Sequence, residues 1–85
     1  MITGINETFP HEGVEYHLQI EDLDRERVLE ARVYVGGRIL FQRRQEYGSL
    51  REDPAGPGIE EKVREEMERL RALVCAAIVR GRIRA

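Results

Sequence analysis

The last third of this chain constrains its fold more than any other stretch. From Ile59 to Arg80, apolar residues recur at Ile59, Val63, Met67, Leu70, Val74, Ala77 and Ile78, a spacing that gathers them along one side of an α-helix. Such a stripe has to be covered. A sheet of the same chain can do it, and so can a second copy. The helix is acidic in its first half and basic in its second, so two copies packed antiparallel would set each acidic half against a basic one. Part of this pattern is ordinary helix chemistry: Glu60, Glu61, Glu65 and Glu66 suit the positive end of the helix dipole, and Arg80 and Arg82 suit the other end.

Covering the stripe matters because 85 residues bury little. At this size, area gained at about 25 cal/mol/Å² nearly cancels an ordering cost of about 1.5 kcal/mol per residue. The usual staples are absent from the sequence. A single cysteine, Cys75, forms no internal disulfide, and two histidines with one cysteine match no metal-ligand spacing. No metal or other cofactor is therefore expected, and self-association is the expected remedy. The opening stretch MITGINETFPHEG lacks a basic segment followed by an apolar one, and no run approaches the ~20 apolar residues of a membrane span. These features read as a cytoplasmic protein with no membrane partner. Thirteen of the fourteen basic residues are arginine, a bias that source genome or habitat explains as well as function does.

Ahead of the helix, the periodicity is that of strands. Residues 1–12 read as a loose lead-in, with a turn at His11-Glu12-Gly13. Val14, Tyr16, Leu18 and Ile20 then alternate with Glu15, His17, Gln19 and Glu21, the mark of a half-buried strand. Asp22 to Arg25 is a polar turn. Two further strands, about 27–35 and 38–46, meet at Gly36-Gly37, whose tolerance of positive φ suits a two-residue hairpin. A Pro- and Gly-rich loop over 48–58 leads to the helix at 59–81 and a basic tail at 82–85. The expected fold is α+β: one domain with a three-stranded antiparallel sheet (β-β-β-α) over residues 13–47 and one long C-terminal helix on one face.

The hairpin predicts a register in which Tyr34 faces Ile39, Val33 faces Leu40, Arg32 faces Phe41 and Glu30 faces Arg43. One face, with Leu29, Ala31, Val33, Val35 and Leu40 beside Val14, Tyr16, Leu18 and Ile20, is then the core under the helix. The other gathers Tyr34, Ile39 and Phe41 among Arg32 and Arg43, with His17 and Gln19 from the first strand. Nothing left in the chain covers it. Large apolar side chains rimmed by arginine make that face the expected interaction surface. The helix residues Val63, Met67, Leu70, Val74 and Ala77 are the expected stripe for self-association.

The strings Tyr16-His17-Leu18-Gln19-Ile20-Glu21-Asp22 and Gly36-Gly37-Arg38-Ile39-Leu40 resemble a set of short uncharacterised bacterial proteins that carry an aromatic-His-aliphatic-Gln strand and a Gly-Gly hairpin. The likeness spans about residues 13–47, and Ile20 stands where that pattern has a small polar residue. It implies a bacterial source and no activity.

Enzymatic chemistry finds little support in these residues. Cys75 sits within the helix beside Val74 and Ala76, where a thiol behaves as a small core residue. His17 projects from its strand as a candidate ligand contact or proton carrier, but no nucleophile accompanies it. Charge is distributed in blocks. Residues 1–30 carry −6, 31–51 carry +4, 52–68 carry −5 and 69–85 carry +5, for a net −2. Nucleic-acid binding is the alternative reading. Arg32, Arg38, Arg43 and Arg44 surround Tyr34 and Phe41, and Arg80, Arg82 and Arg84 form a basic tail. Against it stand the acidic first thirty residues and the lack of a recognised binding motif. The expected role is a non-catalytic interaction or regulatory module that binds itself as a homodimer and another protein.

Overall fold

The chain was analysed as a computed structural model that describes residues 4–51, 56 and 58–85. Four strands, β1 (Ile5–His11), β2 (Val14–Leu23), β3 (Val28–Val35) and β4 (Arg38–Glu46), form one antiparallel sheet in the order β1-β2-β3-β4, and α1 (Ile59–Val79) lies on one face. The α+β class and the C-terminal helix are as the sequence predicts. The strand count is corrected from three to four, because the lead-in pairs with β2 from Ile5↔Ile20 to His11↔Val14.

β1 escapes the alternation test because Glu7 faces inward between Ile5 and Phe9. It is accommodated there by Arg71 of α1, whose Nε and Nη2 both donate to its carboxylate, the second at 3.2 Å. Pro10 stands on the same strand, where a missing N–H costs nothing at a sheet edge. The β1–β2 and β3–β4 turns are both two-residue loops with positive φ at both positions, 49° and 79° at Glu12-Gly13 and 57° and 79° at Gly36-Gly37.

The core lies between sheet and helix. Leu18, Ile20, Leu29, Ala31 and Val33 are fully buried against Val63, Met67, Leu70, Val74 and Ile78. Val63, Met67, Leu70 and Val74 are thus spent on the chain's own sheet. Of the stripe expected to meet a second copy, only Ala77 is left partly exposed. The helix ends at Val79, two residues before its expected end. Gly81, at φ 74°, closes it by donating to Ile78 O while Arg82 N–H reaches Ala77 O, and this turn sends Ile83 back into the core. No helix among the described residues is long and apolar enough to cross a membrane.

One irregularity decides the two faces. The β3–β4 register holds at Tyr34↔Ile39, then slips so that Val33 meets Phe41 and Leu40 has no opposite number. Three consecutive apolar residues explain the slip: the bulge lets both Leu40 and Phe41 pack against the core, which strict alternation forbids. Replacing Leu70 with alanine should lower the unfolding free energy by about 2–5 kcal/mol in a urea titration, because its site is sealed by the same chain.

Candidate interaction surfaces

Downstream of the bulge every side chain of β4 changes face relative to the sequence expectation. Phe41 and Arg43, expected beside Tyr34, lie on the helix side opposite Val33 and Ala31, and Gln42 and Arg44 take their places on the open face. The open face therefore carries His17 and Gln19 of β2, Arg32 and Tyr34 of β3, and Ile39, Gln42 and Arg44 of β4, with Asn6 and Thr8 from β1. Thr8, His17 and Tyr34 form one cross-strand row, and Asn6, Gln19, Arg32 and Gln42 form the next.

This face also holds a buried carboxylate, Glu30, which the expected register set opposite Arg43 and which the bulge sets opposite Arg44. The Glu30 side chain is 7% exposed, bridged to Arg32 at 2.5 Å and to Arg44 at 3.9 Å, and it accepts from Gln42 Nε2 at 3.2 Å. Arg44 also pairs with Glu26. Hydrogen bonding to Tyr34 and the charge of Glu30 both raise the Arg32 pKa, while Arg32 Nε is the one buried side-chain nitrogen among the described residues without an acceptor. Two of the arginines assigned to nucleic acid or interface contacts are thus already neutralised within the sheet.

A second surface lies along α1. Phe41 and Arg43 form one wall of a groove of about 250 Å³ between β4 and the helix, with Leu70, Leu73, Val74 and Ala77 opposite and Arg82 at its end. Of the remaining basic candidates, Arg38 is exposed beside the β3–β4 turn, Arg80 caps the helix, and Arg84 donates to Gly81 O at 2.7 Å. Among the described residues, the exposed large apolar side chains are Ile39, Leu73 and Val79, 46%, 57% and 55% accessible.

The histidines do not converge. His17 projects from the open face, whereas His11 lies on the helix side near Tyr16 and Ile78, so the sheet separates the two imidazoles. No group of three potential metal ligands occurs among the described residues. Burial pushes the Cys75 thiol above its ordinary pKa, which disfavours the reactive thiolate.

At the other end of the core, Tyr47 escaped sequence analysis because it follows the last strand as an isolated aromatic. Its ring is buried, its hydroxyl donates to the buried Asp22, and Arg27 stacks 5.6 Å above it. This cluster is structural and pins the end of β4 to β2.

Burial first, then the hydrogen bond and negative charge of Asp22, push the Tyr47 pKa well above its ordinary 10.0. An unfolded tyrosine loses its proton first as pH passes 10, so this contribution is complete below pH 10 and shrinks above it. Tyr47→Phe should lower stability at pH 7 by about 1–3 kcal/mol and flatten the decline above pH 10, both read from urea titrations across pH.

No protein-family model, curated protein or solved structure matches this chain.

Proposed function

We propose that this chain is a small, non-catalytic protein-interaction module of the cytoplasm that works as a homo-oligomer and presents the open sheet face to another protein. The observation that carries the reading is the one-sided sheet. Its helix covers one face, and the other exposes a patterned mosaic of His17, Gln19, Arg32, Tyr34 and Ile39 around the Glu30 network. Such a mixture of aromatic, amide and guanidinium groups on a rigid, hydrogen-bonded scaffold suits recognition of a polar protein surface. Self-association is supported by the exposed apolar side chains on the helix, Leu73 and Val79.

Nucleic-acid binding remains the second reading because Arg38, Arg80 and Arg82 form no ion pair among the described residues. It is weakened by the bulge. Phe41 and Arg43 lie across the sheet from Tyr34, and Arg32 and Arg44 are held by glutamates, so the expected cluster of Tyr34 and Phe41 among four arginines is split between the two faces.

Sedimentation equilibrium at two salt concentrations, with and without a mixed RNA and DNA pool, separates the readings. The expected result is a species of about twice 9.9 kDa that nucleic acid leaves unchanged. A monomer that gains mass only with nucleic acid and loses it at high salt would establish the second reading, and a monomer throughout would exclude self-association.

A further inference from the structure

The outward side of α1 differs from the stripe that the periodicity singles out. Glu61, Glu65, Glu68, Ala72, Ala76 and Val79 follow one another up the helix on the side away from the sheet, exposed except for the half-buried Ala76. The first half of this line is acidic and the second half is small and apolar. Arg80 follows at the helix C-cap, and the sequence has no acid after Glu68. Leu73 flanks the line on the side of β4, more than half exposed. None of the described residues covers this surface.

We infer that a second copy of this chain covers it, with the two α1 helices crossing antiparallel at Ala72 and Ala76 so that Glu68 of each copy meets Arg80 of the other. The inference rests on the homo-oligomer reading and names its surface. Charge complementarity selects this occupant. Glu68 and Arg80 lie equally far from the midpoint of Ala72 and Ala76, about 9 Å along the axis at about 1.5 Å per residue, so a twofold crossing there aligns the pair twice. A parallel arrangement would stack acid on acid and base on base. The alanines allow the backbones to approach, and Leu73 and Val79 lose their exposed area beside the crossing. Glu68 and Arg80 are available for this. Neither forms an ion pair among the described residues, and Glu68 contributes its negative charge to the field at Arg71 on its own helix, behind Glu7.

The test is charge reversal on the full chain, read as the dimer dissociation constant by sedimentation equilibrium, with circular dichroism to confirm the fold at these exposed positions. Glu68→Arg should raise the constant by about tenfold, because two attractive contacts become repulsive. Combining Glu68→Arg with Arg80→Glu should restore it. A wild-type dimer indifferent to Glu68→Arg would overturn this interface and leave the homo-oligomer reading standing. A weakened single variant that the second reversal fails to rescue would overturn the antiparallel pairing. A wild-type chain that stays monomeric at all concentrations would overturn both.

Discussion

Burial of the inner helix stripe on β2 and β3 is the interaction on which the rest of this structure depends. Leu18, Ile20, Leu29, Ala31 and Val33 offer one apolar surface, and Val63, Met67, Leu70, Val74 and Ile78 close it. With so short a chain, nearly every large apolar side chain of both elements is committed to that contact. The consequence is geometric. Once the inner face is occupied, the opposite sheet face and the outer side of the helix, with the groove beside β4, are what the described residues leave to meet anything else.

Charged side chains then complete the seal where apolar ones run out. Glu7 and Arg71 join β1 to the helix, Gln45 donates to Glu66 at 3.1 Å on the opposite flank, and Tyr47 with Asp22 closes the end of the sheet. The same devices protect the sheet's edges. β1 carries Pro10 and an inward carboxylate, and β4 carries a bulge and three arginines, features that discourage strand-to-strand association. Self-association through the helix is consistent with edges so blunted.

The two surfaces divide the labour of the proposed module. A second copy on the outer side of α1 leaves the open sheet face of each protomer free, on the far side of the molecule, for another partner. The Glu30 network keeps that face rigid, since a carboxylate held by two guanidiniums and an amide fixes side chains of β3 and β4 at once.

The sequence by itself determined the elements β2, β3, β4 and α1, both glycine-containing turns and most of the core, because alternation, helical spacing and positive φ are local properties of the backbone. It also placed His17, Gln19, Arg32, Tyr34 and Ile39 together on the open face. Tertiary structure alone decided what depends on a distant partner. β1 can pack as a strand because Arg71, sixty-four residues away, donates to the inward Glu7 carboxylate. Phe41 and Arg43 change face because the core has room for both Leu40 and Phe41, and only a bulge can deliver two neighbours to one side. Tyr47 and Ile83 are core residues because the chain returns to the sheet at those points. A register is set by what fills the space beneath it, and one unpaired residue suffices to exchange the faces of everything that follows.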